Sequence, residues 1–403
     1  MLLTSRGRRI GGRVAIGVVS AVVLGATGYG WSQLAKLDAG IVTADVIAPS
    51  AQLPKDDTPI GEPLKVAQNI LLVGLDSRTD AYGNPLPQNV LDALHAGSGD
   101  DGGDTTDTMI VVHIPAGGAA ATAISIPRDS YVDIAGGSGK HKINSAYSRG
   151  KNAAMSGLRA QGLTGAQLEV AANEAGARAA IQTVEKFTGL TINHYAAINL
   201  AGFAALSDAV GGVDVCLKAP VHDSYSGANF AAGPQTLSGA QALAFVRQRH
   251  GLLNGDLDRI ARQQAFLSGM AKNILSAGTF TDPGKLNSLV SAVQGAVVLD
   301  KGWDIVSFAQ QLRGMSSGAI GFVTIPVMSI SLQTPSDGDA VKVDPVQVQQ
   351  FVRTAIATPA VSASGEPDGS GGVRPVAATG TKTAPAGTST TSGSSTTTPG
   401  CVN

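Results

Sequence analysis

The sequence predicts an α/β domain that stands between an N-terminal transmembrane helix and a disordered C-terminal tail. Three observations support this prediction: an uncharged apolar run at 14–34, short apolar runs and helical patterns over 66–358, and a Thr-, Ser-, Gly- and Pro-rich end at 359–403. A basic segment at 1–13 and a linker at 35–65 complete the chain. Its 403 residues are enough for one large domain or two smaller ones.

The apolar run reads VAIGVVSAVVLGATGYGWSQL and contains no acidic or basic side chain. About 20 such residues in a helix cross a hydrocarbon core of ~30 Å. Four arginines between residues 6 and 13 precede the run, which favours a single-pass anchor in the cell membrane with a cytoplasmic N-terminus. A cleaved secretory signal is the alternative, because the small residues ATG-YG suit a signal peptidase. Both interpretations make the domain extracytoplasmic.

The two segments that flank the domain lack the pattern of a packed structure. The linker at 35–65 contains four prolines and no helical periodicity, so it would hold the domain a short distance from the bilayer. The tail at 359–403 has few large apolar residues and cannot bury enough surface to become ordered. Cys401 lies in this tail and Cys216 in the domain, and the sequence leaves open whether they form a disulfide or remain free thiols.

The overall composition argues against two classes of function. The formal net charge is -1, so no general basic character indicates a nucleic-acid partner. Aromatic residues make up only 4% of the chain, which argues against a lectin built on aromatic stacking platforms.

Three apolar runs early in the domain predict neighbouring strands. They cover Asn69–Gly74, Met109–Ile114 and Ala121–Ile126, and the turn sequence Pro-Ala-Gly-Gly at 115–118 joins the last two as a hairpin. If the first strand runs antiparallel to the second, the first and third strands end at the edge where the second begins.

Charged residues lie at that shared edge. Asp76 and Arg78 follow the first strand, Asp107 lies at the start of the second, and Arg128 follows the third. Carboxylate oxygens suit Mg²⁺ or Mn²⁺, and arginine guanidinium groups bind phosphate oxygens. The alternative for each residue alone is a turn residue, a cap or a solvated charge. The convergence predicts a site for a divalent cation and a phosphate.

A second concentration of polar residues lies between 238 and 264. Ser238 and Gln241 resemble a capping box that opens a short helix through about Phe245, and Asp256 is predicted to be the N-cap of a helix over 257–276. Four arginines fall in this region: Arg247, Arg249, Arg259 and Arg262. They form either a salt-bridge network with Asp256 and Asp258 or a cationic cradle for a diphosphate.

Together, these segments resemble the LytR–CpsA–Psr family of membrane-anchored cell-wall glycopolymer transferases. The resemblance rests on five ordered segments: NILLVGLDSR (69–78), TDTMIVVHI (106–114), ISIPRDSYVDI (124–134), HKINSAYSRG (141–150) and QALAFVRQRHGLLNGDLDRIARQQAFL (241–267). It implies a three-layer α/β/α domain with a mixed sheet and an apolar channel for a polyprenyl chain. The implied reaction moves a glycopolymer from a polyprenyl diphosphate to a hydroxyl of peptidoglycan and releases polyprenyl phosphate.

The resemblance also implies roles for individual residues. Asp76 and Asp107 match the carboxylates associated with Mg²⁺ (or Mn²⁺), and Asp76 and Arg128 are the expected catalytic residues. The residues expected to contact the diphosphate are Arg78, Arg128, Lys142, Arg247, Arg249, Arg259, Arg262 and Gln263.

The sequence departs from the family pattern before Asp107. Many members carry an arginine two residues earlier, where this chain has Thr105, and a long insertion at 79–105 precedes this point. One cationic contact to the leaving diphosphate is therefore missing or supplied from elsewhere. The general base also stays open between Asp76 and Asp129, whereas His250 is interpreted as a solvated histidine.

Two alternatives to the transferase remain. One is an exported polyprenyl-diphosphate pyrophosphatase, which would use the same site with water as the acceptor. The other is a non-catalytic regulator of the cell envelope.

Overall fold

The computed structural model describes residues 40–53, 64–99, 103–252, 255–275, 283–304, 308, 320–357 and 401–403. The predicted anchor at 14–34 lies outside these residues, as does most of the predicted tail. Within the described ranges, no helix has the length and apolar character needed to cross a membrane.

The described chain contains both strands and α-helices. The strands are β1 (Val42–Ala44), β2 (Gln68–Leu75), β3 (Thr106–Ile114), β4 (Ala121–Ser125), β5 (Tyr131–Ile134), β6 (Gly139–Lys142), β7 (His194–Asn199), β8 (Val213–Leu217), β9 (Val221–Asp223), β10 (Ala228–Phe230), β11 (Gly233–Leu237), β12 (Val297–Asp300), β13 (Ile320–Thr324), β14 (Ser329–Thr334) and β15 (Gly338–Lys342). The α-helices are α1 (Gln88–Ala93), α2 (Ser145–Ala160), α3 (Gly165–Thr188), α4 (Leu200–Ala209), α5 (Gly239–Arg247), α6 (Asp256–Leu275), α7 (Pro283–Val293) and α8 (Pro345–Ala357).

The main sheet is mixed and has the strand order β1-β12-β7-β2-β3-β4-β13. β3 and β4 are antiparallel, which confirms the hairpin predicted from the sequence. β2 and β3 are also antiparallel, which meets the condition for the charged residues to share one edge. Gly117 and Gly118 supply the positive φ angles of the turn between β3 and β4. β7 and β13 pair in parallel with β2 and β4, respectively. The large mixed sheet of an α/β fold is therefore confirmed.

Helices pack against both faces of this sheet. Leu71 and Val73 of β2 join a buried cluster with residues of α2, α3 and α8, such as Tyr147 of α2. Their neighbours Leu72 and Gly74 point to the opposite face, because side chains alternate along a strand. There they line a cavity together with residues of α4, α5 and α6.

The domain begins earlier than the sequence predicted. β1 lies within the predicted linker and pairs in parallel with β12, and Ala44, Val46 and Ile47 are buried in the main cluster. The pairing partner of β1 lies more than 250 residues later in the chain, so local periodicity gave no sign of this strand. The linker prediction is therefore wrong for residues 40–53.

Residues 401–403 also belong to the folded domain, although they were predicted to be part of the tail. Cys401 forms a disulfide with Cys216 of β8. The backbone N–H of Val402 donates to the Cys216 carbonyl at 2.8 Å, and its carbonyl accepts from Lys218 at 2.8 Å. The question left open by the sequence is thus answered in favour of the disulfide.

Two helix starts differ from the predicted caps. Ser238 is the N-cap of α5, but its side chain makes no capping hydrogen bond. The next residue, Gly239, has a φ of 53° and donates its backbone N–H to Ser207 Oγ at 2.8 Å. The hydrogen bond from the Gly239 amide to Ser207 of α4 therefore takes the place of the predicted capping box. Asp256 is the first residue of α6 rather than its N-cap.

Candidate functional site

The four charged residues predicted at one sheet edge do meet there. Asp76 follows the end of β2 and forms an ion pair with Arg78. Asp107 lies on β3, and its Oδ1 accepts a hydrogen bond from Arg128 Nη1 at 2.6 Å. Arg78 and Arg128 are each only 8% exposed. The site therefore begins with two carboxylate–guanidinium pairs on adjacent strand ends.

A polar cavity of about 270 Å³ opens over these pairs. Three further arginines reach it from the end of α5, from the segment that follows α5 and from the first turn of α6. The residues that line it are Asp76, Thr105, Asp107, Arg128, Asp223, Tyr225, Ser226, Arg247, Arg249, His250 and Arg259. Four of the arginines expected to contact a diphosphate thus face one space, together with both carboxylates proposed for a cation.

An apolar cavity of about 260 Å³ adjoins the polar one. It lies between the sheet and helices α4, α5 and α6, and side chains such as Leu72, Phe203 and Leu243 form its walls. Both cavities are lined by Asp76, Asp107, Arg247 and Arg259. The space is therefore apolar on one side of this charged group and polar on the other.

Gln263 lines the apolar cavity next to this charged group. Its Nε2 donates to the carbonyl of Val246 at 3.3 Å, so the side chain also ties α6 to α5. Arg259 and Gln263, one turn apart on α6, therefore share a helix face that looks into the site.

Burial and charge act in opposite directions on the arginines. Burial lowers the pKa of Arg259 and of Arg247. Burial also acts to lower the pKa of Arg128, but three carboxylates outweigh it and raise this pKa above its ordinary value. These carboxylates belong to Asp107, Asp129 and Asp256. Arg128 is accordingly the guanidinium most strongly held in its charged form by its surroundings.

Asp256 is a site residue that the sequence placed only as a cap and as a partner of Arg259. Its carboxylate forms an ion pair with Arg259 and lies 3.7 Å from Arg128 Nε. Burial raises the pKa of Asp256, while Arg259 and Arg128 oppose that shift. The predicted pairing with Arg259 is confirmed, and the same carboxylate also holds Arg128.

Three residues expected to contact the diphosphate line neither cavity: Arg78, which forms an ion pair with Asp76, and Lys142 and Arg262. Lys142 Nζ contacts Asp129 Oδ1 at 3.3 Å, behind Arg128. Arg262 is fully buried, with its guanidinium carbon 5.1 Å from the centre of the Phe245 ring. It donates to the side chain of Gln248 and to the backbone carbonyl of Asn403.

The sequence interpretation of Arg262 as a diphosphate ligand is therefore wrong. The Arg262 guanidinium points into the core, against Phe245 and Gln248, rather than into the cavity that Arg259 lines. Burial lowers the pKa of Arg262 to about 10, with Asp258 opposing the shift.

The insertion at 79–105 contributes to the site in place of a missing arginine. Arg247 Nη1 donates to the carbonyls of Leu94 and His95, at 3.2 Å each, just after α1. Thr105 lines the polar cavity and donates from its hydroxyl to Asp107 Oδ1 at 3.3 Å. The insertion thus positions one arginine and one carboxylate, but it brings no cation to the position of Thr105.

A second group of site residues was missed because it comes from a distant hairpin. Asp223 ends β9, and Tyr225 and Ser226 follow it before β10. The Asp223 carboxylate accepts from the backbone N–H of Tyr225 at 3.0 Å and of Arg249 at 3.3 Å. No periodicity links residue 223 to residue 249, so only the fold brings them together.

A divalent cation fits the donor set of this edge. Asp76 and Asp107 face the same cavity, and carboxylates of this kind hold Mg²⁺ together with substrate phosphate oxygens rather than in an all-protein cage. Consistent with an incomplete cage, the described residues contain no group of three or more His, Cys, Asp or Glu side chains able to hold a metal ion.

The sequence pattern that defines the LytR_cpsA_psr family matches residues 51–353. This range contains the sheet edge, both cavities and the arginines described above. The chain belongs to the LytR–CpsA–Psr family. The resemblance read from five short segments is therefore confirmed over most of the folded domain.

Curated members of the LytR–CpsA–Psr family resemble the chain closely. It is 43% identical over 345 residues to the cell wall biosynthesis protein LcpA of Corynebacterium glutamicum, which covers 85% of this chain and 65% of LcpA. It is 33% identical over 211 residues to the polyisoprenyl-teichoic acid–peptidoglycan teichoic acid transferase TagU of Enterococcus faecalis, covering 52% of this chain and 60% of TagU. The chain thus matches less than two thirds of the length of either relative.

Solved structures share the fold. Bacillus subtilis TagV superposes with a TM-score of 0.51 at 24% identity, covering 73% of this chain and 99% of TagV. B. subtilis TagT gives a TM-score of 0.50 at 17% identity, covering 78% of this chain and 97% of TagT. At these identities the likeness concerns the architecture of the family, and the chemistry has to be argued from the site.

Proposed function

We propose that this protein is a membrane-anchored phosphotransferase that moves a glycopolymer from a polyprenyl diphosphate to peptidoglycan. The observation that carries the proposal is the pair of joined cavities, apolar on one side and rich in arginine on the other, with Asp76, Asp107, Arg247 and Arg259 between them. A polyprenyl diphosphate has the same division, with an apolar chain attached to a charged head. The relative TagU is named as a polyisoprenyl-teichoic acid–peptidoglycan teichoic acid transferase, which agrees with this substrate class.

In the proposed reaction, an acceptor hydroxyl of peptidoglycan attacks the phosphorus that carries the glycopolymer. A new P–O bond forms, the bond between that phosphorus and the bridging oxygen breaks, and polyprenyl phosphate leaves with that oxygen. Negative charge builds on the leaving group. Arg128, Arg247 and Arg259 face the space where this charge develops, so catalysis is mostly positioning and electrostatic stabilisation.

The hydroxyl proton goes to a carboxylate, for which Asp76 is our candidate. Asp76 lines both cavities, and so lies where the lipid and polar parts of the donor meet. Asp129 is less suited to this role because it lines neither cavity, and it is engaged by Lys142 at 3.3 Å and by Arg128 Nε at 3.7 Å. We therefore assign Asp129 to the positioning of Arg128.

Asp76 and Asp107 are the residues that would hold Mg²⁺ or Mn²⁺ in this site. A bound divalent cation would neutralise charge on the diphosphate oxygens. In the described structure the two carboxylates are already paired with Arg78 and Arg128, which hold them in place.

The anchor at 14–34 gives the proposal its location. A substrate whose lipid stays in the bilayer is met most readily by a domain that is held near the membrane surface. We therefore propose a single-pass protein with a cytoplasmic N-terminus and an extracytoplasmic catalytic domain. Fractionation of the full chain, with protease added from outside the cell, tests this arrangement because only the domain would be cut.

A product assay tests the function. The purified full chain receives a polyprenyl-diphosphate donor with a radiolabelled sugar, together with peptidoglycan and Mg²⁺. Label that becomes attached to peptidoglycan supports the transferase, whereas label released only as a sugar phosphate would indicate the pyrophosphatase. No turnover in the presence of bound donor would favour the non-catalytic envelope regulator.

Arg128→Ala is the variant for this assay. Removal of one pre-organised cation that stabilises transition-state charge should lower kcat by about 10²–10³-fold. Arg159→Ala, in the exposed last turn of α2, is the matched control and should keep wild-type turnover. Circular dichroism and thermal unfolding of both variants separate a loss of catalysis from a loss of fold.

A further inference from the structure

Tyr225 is an exposed aromatic residue at the polar cavity. Its side chain is 76% exposed, more than any other large hydrophobic residue named among the described exposed ones. It lies between β9 and β10 and lines the cavity beside Arg249 and His250. A single exposed ring is ordinary on a protein surface, but this one stands on the wall of a charged cavity.

The ring of Tyr225 is held in place despite this exposure. It packs against the His250 ring, with 4.4 Å between centroids and 30° between planes. The two residues share one anchor, the buried carboxylate of Asp223, which accepts from the Tyr225 backbone N–H and lies 3.3 Å from His250 Nδ1. Ser226 Oγ donates to the same carboxylate at 3.0 Å. One buried acid therefore holds the backbone of Tyr225 and the imidazole of His250, and the Tyr225 ring packs on that imidazole.

The rings lie on one particular side of the charged group. Asp76, Asp107, Arg247 and Arg259 line both cavities, whereas Tyr225 and His250 line only the polar one. A donor with its lipid in the apolar cavity and its diphosphate at the shared residues would extend its next chemical group into the polar cavity. That group is the first sugar of the glycopolymer.

The chemistry of the rings fits a sugar. A pyranose ring presents a face of C–H groups that packs on an aromatic ring, while its hydroxyls need polar partners at the edge. Tyr225 and His250 offer such a face, and Ser226 and Arg249 lie beside it on the cavity wall. Two rings held rigid before binding also reduce the entropy that the ligand must overcome.

We infer that Tyr225 and His250 form a stacking site for the sugar that is joined directly to the diphosphate of the donor. The inference rests on the proposed function, since it assigns a further part of the same substrate to the same cavity. According to this inference, Tyr225 contacts the donor and contributes to its recognition. Asp223 acts indirectly, because it positions Tyr225.

Binding of two lipids tests the inference. The probes are farnesyl diphosphate and the same lipid with N-acetylglucosamine attached to its terminal phosphate, each titrated into the full chain in detergent. Tyr225→Ala should weaken binding of the sugar-bearing lipid by about 3–10-fold, the range expected for one aromatic contact, and leave farnesyl diphosphate unchanged. Tyr225→Phe keeps the ring and should bind both lipids like the wild type.

Tyr82→Ala is the matched control, because Tyr82 is also exposed but contacts the Gly40 carbonyl, remote from the polar cavity in the fold. Equal loss for both lipids in Tyr225→Ala, or no loss for either, would overturn the inference. A higher KM for a peptidoglycan fragment with unchanged donor binding would assign the ring to the acceptor and would also overturn it. If the wild type bound neither lipid, the proposed function itself would fail.

Discussion

Arg262 donates from Nη1 to the side-chain oxygen of Gln248, the residue that lies between the cavity residues Arg247 and Arg249. Gln248 is 2% exposed, and its Nε2 donates onward to the His250 carbonyl at 3.0 Å. A buried arginine on α6 thus fixes the backbone segment that presents two arginines to the polar cavity. Arg262 supports the site without lining the cavity.

The first prediction concerns this support. Gln248→Ala leaves a guanidinium donor of Arg262 without its partner in a buried place, so the unfolding free energy should fall by about 1–3 kcal/mol. The rate of glycopolymer transfer should fall as well, because the backbone that carries Arg247 and Arg249 is no longer held in place. Urea unfolding measures the first effect, with Gln161→Ala as an exposed control that should stay within about 0.5 kcal/mol of wild type. An unfolding free energy of Gln248→Ala equal to that of the wild type would contradict the supporting role given to Arg262.

The second prediction concerns the disulfide. Cys216 and Cys401 are 185 residues apart, and a cross-link that closes a long loop restricts the unfolded chain. Cys401→Ser should therefore lower the unfolding free energy by about 2–5 kcal/mol. A reductant should lower the Tm of the wild type and leave that of Cys401→Ser unchanged. A wild-type Tm insensitive to reductant, with thiol labelling proving reduction, would contradict this.

The third prediction concerns the apolar cavity. Ala196 lies on β7 and lines this cavity, so Ala196→Phe adds a ring to the space proposed for the lipid. Binding of a long polyprenyl diphosphate should weaken at least tenfold, while inorganic diphosphate, which has no lipid, should bind as before. Ala160→Phe, at the exposed end of α2, serves as the control. Equal binding of the long lipid by both variants would argue against a lipid in this cavity.

The fourth prediction concerns pH. Burial acts to raise the pKa of Asp223, but hydrogen bonds from Ser226 and Tyr225 outweigh it and hold this pKa below 3.8. The ionised carboxylate therefore stabilises the fold fully above pH 3.8, and this contribution is lost as the pH falls through the folded-state value. Asp223→Asn should cost about 1.5–3 kcal/mol at neutral pH.

The difference in unfolding free energy between wild type and Asp223→Asn should shrink as the pH is lowered below 3.8. Asp133→Asn is the control, since Asp133 is 56% exposed and pairs at the surface with Lys186. That variant should show only a small difference at every pH. If the difference in unfolding free energy between the wild type and Asp223→Asn stayed constant with pH, the role given to the Asp223 carboxylate would be contradicted.

The part of the site built from local sequence was predictable. A short turn joins β3 to β4 and dictates their pairing, so the meeting of Asp107 and Arg128 was predictable from strand direction. Asp76 joins them because β2 runs antiparallel to β3, which could be stated from the sequence only as a condition. The pair of Asp256 and Arg259 was predictable as well, since it rests on helical spacing.

The parts that depend on distant contacts were not predictable. Helical spacing does not say which face of α6 looks into the cavity, so Arg262 was assigned to the diphosphate although it lies in the core. Asp223 gave no signal because its partners lie on another segment, and β1 gave none because it pairs with β12. The low aromatic content is a property of the whole chain, so it could not reveal that the Tyr225 and His250 rings pack together at one cavity.

The disulfide turns residues 216–401 into a covalent ring that contains α5, α6 and α8. One cleavage in the segment between α8 and Cys401 would therefore produce two polypeptides that remain joined. Asn403 would stay tethered beside Arg262, so the buried contact behind the arginines could survive an envelope protease. On a gel the cleaved protein would run as two fragments only after reduction.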